Sequence, residues 1–160
     1  MKNFAFYLLI PIFYLLFAAP TFAARQETPK SIPGVTIITT QGAFDLIETE
    51  QCIQKKTCIF IDPRKAKDLK KGVIKGSVTY PFKKPKNMKE GKFIKSIQSK
   101  GYKISSLQDL TKYTIITGCN GKFCPRSPNL AKYLKQKLGS KLKILWVREE
   151  GVPGILRLHK

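Results

Sequence analysis

The stretch Tyr113-Thr114-Ile115-Ile116-Thr117-Gly118-Cys119-Asn120-Gly121-Lys122-Phe123-Cys124-Pro125-Arg126-Ser127-Pro128 decides the fold. Its first five residues are β-branched or aromatic, an unbroken run of the kind found in strands covered on both faces. A turn-rich loop follows. Ser127 to Leu138 then places Leu130, Leu134 and Leu138 on one helical face. Ser127 before Pro128 reads as the helix start, with the hydroxyl capping free amides and proline where no hydrogen bond is needed. Strand, loop and helix in that order are half of a parallel α/β unit, and ligand sites in such sheets lie at the carboxyl ends of strands.

The pattern repeats on both sides. Val35 to Thr39 reads as a strand, and Gly42 to Glu48 sets Ala43, Phe44 and Ile47 at helical spacing. Cys58-Ile59-Phe60-Ile61 is a short apolar run that stops at Asp62-Pro63-Arg64, as a buried parallel strand would. Lys65 to Lys71 suits a short helix closed by Gly72, and Val73 to Tyr80 looks extended. Residues 83–92 read as an exposed loop, followed by a helix from Phe93 to Lys100 and a weaker one around Leu107 to Leu110. Lys143 to Val147 makes the last strand, and the tail from Gly151 fits no single element. The expected fold is α/β, a single domain over residues 35–160 with a largely parallel central sheet flanked by helices. Tyr113, Tyr133 and Trp146 fall in regular elements and are expected to pack the sheet.

The chain has 160 residues, 42% of them hydrophobic, enough for one domain to bury roughly two-thirds of its unfolded surface. Thirty Lys and Arg against ten Asp and Glu give a net charge of +20. The lysines are scattered and no nucleic-acid motif accompanies them, so no nucleic-acid partner is expected. A solvated lysine-rich surface accounts for the charge, with contact to an anionic membrane surface or an acidic protein as the alternative. The single histidine, His159, is penultimate, which excludes a histidine-based triad and a histidine-rich metal site. Cysteine is left as the candidate nucleophile.

Lys2 precedes an uncharged stretch from Phe4 to Ala24, and Thr21-Phe22-Ala23 ends in small residues. Residues 1–23 therefore read as a signal peptide and residues 24–34 as a flexible lead-in, which makes the domain exported and periplasmic. An uncleaved N-terminal membrane anchor is the rival reading, since the apolar stretch spans about one bilayer.

The loop from Gly118 to Pro128 runs into a helix N-terminus, where amides and the helix dipole favour negative charge. A thiol facing them, beside Lys122 and Arg126, is expected to be a thiolate near neutrality. Several segments together resemble the rhodanese (sulfurtransferase) superfamily, and in particular small exported members with a second cysteine in the active loop. Val35 to Ile47 resembles the family's first strand and helix, and Ile59 to Arg64 its strand followed by Asp-x-Arg. Gly72 to Phe82 is similar to its segment leading to a proline, Cys119 to Leu134 to its active-site loop and helix, and Leu145 to Gly151 to its degraded Tyr-Arg-Gly-Gly stretch.

The resemblance implies a sulfurtransferase of rhodanese type that needs no cofactor and no metal. A loop cysteine, mapping to Cys119, takes sulfane sulfur from a small anionic donor such as thiosulfate or polysulfide. It then passes the sulfur from a persulfide to a thiophilic acceptor. Asn120, Gly121, Phe123, Cys124 and Ser127 would form the cradle, Lys122 and Arg126 would draw in the donor, and Asp62 and Arg64 would brace the fold. The loop is longer than the family's, with Arg126 seven residues after Cys119, and Glu149-Glu150-Gly151 stands where the family doubles glycine. Two other classes of function remain: a non-catalytic partner-binding module, and a thiol-disulfide redox protein using Cys119 and Cys124. Cys52 and Cys58 either pair as a structural disulfide or leave Cys58 as a small buried hydrophobe. Neither cysteine gap has the spacing of a zinc site.

Overall fold

In the computed structural model, which describes residues 26–160, five strands form one sheet. They are β1 (Thr36–Ile38), β2 (Cys58–Asp62), β3 (Val78–Thr79), β4 (Thr114–Gly118) and β5 (Lys143–Val147). Their spatial order is β1-β5-β4-β2-β3, and every neighbouring pair is parallel. The long apolar runs take the centre, where both faces are covered. Ile59 of β2 sits opposite Ile115 of β4, which sits opposite Ile144 of β5.

Alternation along these strands divides the core in two. On one face Ile59, Ile61, Ile115, Ile144 and Trp146 meet α3 (Glu90–Gln98) and α4 (Arg126–Leu138) through Phe93, Ile97, Leu130 and Leu134. On the other, Cys58, Phe60, Ile116 and Val147 meet α1 (Thr40–Phe44) and α5 (Gly151–Leu158) through Ala43, Val152 and Ile155. A short α2 (Ala66–Leu69) follows β2. Burial of each large aliphatic side chain in these layers stabilises the fold by about 1.5–3 kcal/mol. Cys52 and Cys58 form a disulfide inside the second layer. Tyr133 and Trp146 are buried in the first, with Tyr113 packed against its edge.

The α/β class and the order of elements match the sequence pattern, and the differences are local. The weak segment around Leu107 to Leu110 is a 3-10 helix over Leu107–Lys112. Only Val78–Thr79 of the extended 73–80 segment pairs as strand, because the chain turns at Gly76 with φ +78°. Helix α3 begins at Glu90, three residues into what reads as loop, and a 3-10 turn forms at Pro85–Asn87. Helix α4 begins at Arg126 with Pro125 as its cap, so Ser127 is not the capping residue. Pro128 still falls among the first amides, which have no partner inside the helix. The tail from Gly151 is helix α5.

The lead-in also differs from expectation. Thr28 and Ile32 are buried. The Arg148 guanidinium, itself buried, donates to the carbonyls of Thr28 and Pro29 and to the Glu27 carboxylate, so residues 27–29 are docked rather than loose. The expected signal peptide over 1–23 lies outside the described residues. Among the described residues no helix is long and apolar enough to cross a membrane.

Candidate functional site

The parallel sheet presents the carboxyl ends of β2, β3 and β4 at one edge, and three loops meet there. Strand order reverses around β2, with β3 on one side and β4 on the other, and such a switch opens a crevice. A cavity of about 360 Å³ fills it. Lys65, Lys67 and Asp68 line it after β2, Lys83 after β3, and Asn120, Phe123, Cys124, Pro125 and Arg126 after β4.

The last of these loops is held from behind. Gly121 has φ +88°, and a Cβ there would lie 2.5 Å from the Glu149 carbonyl oxygen. Gly151 has φ +58°, and a side chain there would overlap the Cys119 carbonyl. Only glycine permits this approach of backbones. The approach makes two hydrogen bonds possible, Lys122 N–H to the Glu149 carbonyl at 2.9 Å and Val152 N–H to the Cys119 carbonyl at 2.8 Å. Thr28 N–H adds a third, to the Lys122 carbonyl at 2.7 Å.

The result turns Cys119 inward. It is 1% exposed, and its thiol donates to the Cys124 carbonyl at 3.0 Å. Ser127 Oγ lies 3.0 Å from the same sulfur and accepts a hydrogen bond from Trp146 Nε1 at 3.1 Å, which leaves the serine proton free to face the sulfur. Burial first, and then the neighbouring Cys124, push the Cys119 thiol far above its ordinary value. The expected neutral-pH thiolate at Cys119 is therefore corrected: this thiol is protonated.

Cys124 occupies the environment the sequence reading gave to Cys119. It is half-buried on the cavity wall, and its pKa falls to about 6. The Cys119 thiol beside it is the largest cause. The amides of Asn120 and Arg126 and the Arg126 charge add to it, while burial opposes. The Arg126 amide belongs to the first turn of α4, so the helix N-terminus serves Cys124.

The remaining predicted residues separate. Arg126 reaches the cavity and is anchored by Nη1 on the Phe82 carbonyl at 2.9 Å and the Pro63 carbonyl at 3.4 Å. Asn120 and Phe123 line the cavity, with the Phe123 ring 41% exposed. Lys122 does not line it. It pairs with Glu27 at 3.2 Å and lies over the Phe123 ring, so it is not placed to receive a donor beside Cys124. Ser127 is 1% exposed and touches Cys119 instead of the cavity.

Asp62 and Arg64, both 1% exposed, form a pair with Arg64 Nη2 at 2.7 Å from Asp62 Oδ2 and Nε at 2.9 Å from Oδ1. Arg64 Nη2 also donates to the Gly72 carbonyl at 2.7 Å, which ties the two loops flanking α2 together below the site. Glu149 and Glu150 pair with Arg148 and Arg157 and do not line the cavity. Among the described residues no cluster of three or more His, Cys, Asp or Glu side chains offers a metal site.

Lys65, Lys67 and Lys83 escaped the sequence reading, which treated them as part of a scattered surface charge. The signal was available, since each follows directly on a segment that ends at Asp62 or Pro81, the same edge as the cysteine loop. Fold and site together define an α/β domain with a two-cysteine loop at the carboxyl edge of a parallel sheet. No protein-family model matches the chain, and no curated protein matches it.

Proposed function

We propose that this domain is an exported sulfurtransferase of rhodanese-like type, with the persulfide carried on Cys124 rather than on Cys119. The observation that carries the reading is the Cys124 sulfur in a cationic cavity, with its pKa lowered to about 6. At neutral pH such a thiol is mostly thiolate, the form that attacks a sulfane sulfur. Lys65, Lys67, Lys83 and Arg126 suit a small anionic donor. With thiosulfate the Cys124 thiolate attacks the outer sulfur, the S–S bond of the donor breaks, and sulfite leaves with that bond's electron pair. The Asn120 and Arg126 amides then hold the anionic persulfide as they hold the thiolate. Asp62 and Arg64 keep the β2 loop in place. The Cys52–Cys58 disulfide supports an oxidising compartment.

The test is a single turnover with thiosulfate, read as sulfite released and as intact mass. Cys119→Ser should release sulfite and gain one sulfur atom, and Cys124→Ser should do neither. Sulfite release that survives in Cys124→Ser would return the nucleophile to Cys119. No sulfite and no adduct in any form would overturn sulfur transfer and favour a binding module.

A further inference from the structure

The buried Cys119 thiol helps to lower the Cys124 pKa but makes and breaks no bond in the transfer step itself. It is still a nucleophile in waiting, packed against the residue that carries the sulfur. Its Sγ lies 3.0 Å from the Cys124 carbonyl oxygen, and the Ser127 hydroxyl, also at 3.0 Å, fixes it from the other side. Both cysteines are free thiols, while the only disulfide among the described residues joins Cys52 to Cys58.

We propose that Cys119 resolves the Cys124 persulfide from within, releasing hydrosulfide and closing a Cys119–Cys124 disulfide. The inference rests on the sulfur-transfer reading above and adds a second reaction, reduction of sulfane sulfur. The Cys119 sulfur attacks the inner sulfur of the persulfide as its proton is withdrawn. A new S–S bond forms between the two cysteines, the bond to the outer sulfur breaks, and that sulfur leaves with the electron pair and the proton as HS⁻. Two thiol-level sulfurs are oxidised to the disulfide and one sulfane sulfur is reduced to sulfide. An external dithiol, the class of reductant that exchanges with disulfides, then returns both cysteines to thiols.

Geometry favours this route over transfer to a distant acceptor. Two groups held side by side react as if at very high concentration, so the internal thiol competes strongly with one arriving from solution. The burial that keeps Cys119 protonated and unreactive toward solutes also limits its reach to its neighbour. A donor entering the cavity meets Cys124 first, because Cys119 is not on the cavity wall.

The experiment loads the protein, with Cys52–Cys58 intact and the other two cysteines reduced, with one equivalent of thiosulfate. It follows sulfide, sulfite and intact mass together. Wild type should release sulfite, then sulfide at one per chain, and end two hydrogens lighter, with Cys119 and Cys124 in one linked peptide on mapping. Cys119→Ser, although slower to react as its Cys124 pKa rises, should still release one sulfite per chain but keep the extra sulfur, with sulfide at least about tenfold slower than sulfite. Peptide mapping of wild type keeps the idea testable even if the buried Cys119→Ser change disturbs folding. A wild-type persulfide as long-lived as that of Cys119→Ser, with sulfite released, would overturn the resolving step and leave sulfur transfer standing. Absence of sulfite in every form would overturn both.

Discussion

The four cysteines form two pairs of nearly equal spacing at opposite ends of neighbouring strands, and only one pair is oxidised. Cys58 opens β2 and is bonded to Cys52, both enclosed by Ile53, Ile74 and Phe60 in an apolar layer. Cys119 follows the far end of β4, and its companion Cys124 sits five residues on, against amides and cations. Residue type and gap are almost the same, so surroundings make the difference. At the amino edge the sulfurs lie in an apolar layer, and the disulfide is a staple. At the carboxyl edge the helix start, Arg126 and an inward-turned partner split two equal thiols into a thiolate and a buried acid.

The sharpest way to break that contrast is to remove one cysteine from each pair. Cys124→Ser should lower thiosulfate-dependent sulfite release by at least about a thousandfold, as loss of a nucleophile does. Replacing Cys52 and Cys58 together by serine should leave sulfite release unchanged but cost about 2 kcal/mol of stability in a denaturant titration, since the closed loop is short. A stable double variant with lost activity would show that the two pairs are not independent.

A finer probe reads the asymmetry within the reactive pair. Alkylation of Cys124 in wild type should rise with pH through a midpoint near the pKa of about 6 and level off above it, because only the thiolate reacts. Cys119→Ala removes the neighbouring thiol that lowers this pKa most and should move the midpoint upward more than Arg126→Gln, whose contribution ranks below it. Unmoved midpoints in both variants would refute the local account of the lowered pKa. Ser127→Ala strands Trp146 Nε1 and the Cys119 sulfur and should cost about 1–3 kcal/mol in a denaturant titration.

How much of this was written in the sequence depends on the element. The runs 58–61, 113–117 and 143–147 are apolar enough to announce buried parallel strands, and the loop between Gly118 and Pro128 follows from its place between a strand and a helix. Helix α5 was hidden by Gly151, Pro153 and Gly154, which normally interrupt helices but here crowd its first turn, where α-helical amides have no partner. Which cysteine turns inward and which faces the cavity was not legible. That depends on the contact between Gly151 and the Cys119 carbonyl, two segments brought together only by the β4–β5 pairing. Lys65, Lys67 and Lys83 become a site only when three strands align their carboxyl ends.

The hydrogen bonds behind the cysteine loop have a consequence for its mobility. The Cys119 carbonyl is tied to Val152 and the Lys122 carbonyl to Thr28, so the loop is clasped by segments drawn from the two ends of the described chain. The loop is freed to move when one of these clasps lets go, so local opening of either segment is transmitted to the two sulfurs. Anything that grips or releases residues 27–29 acts as a handle on a thiol pair about ninety positions away in sequence.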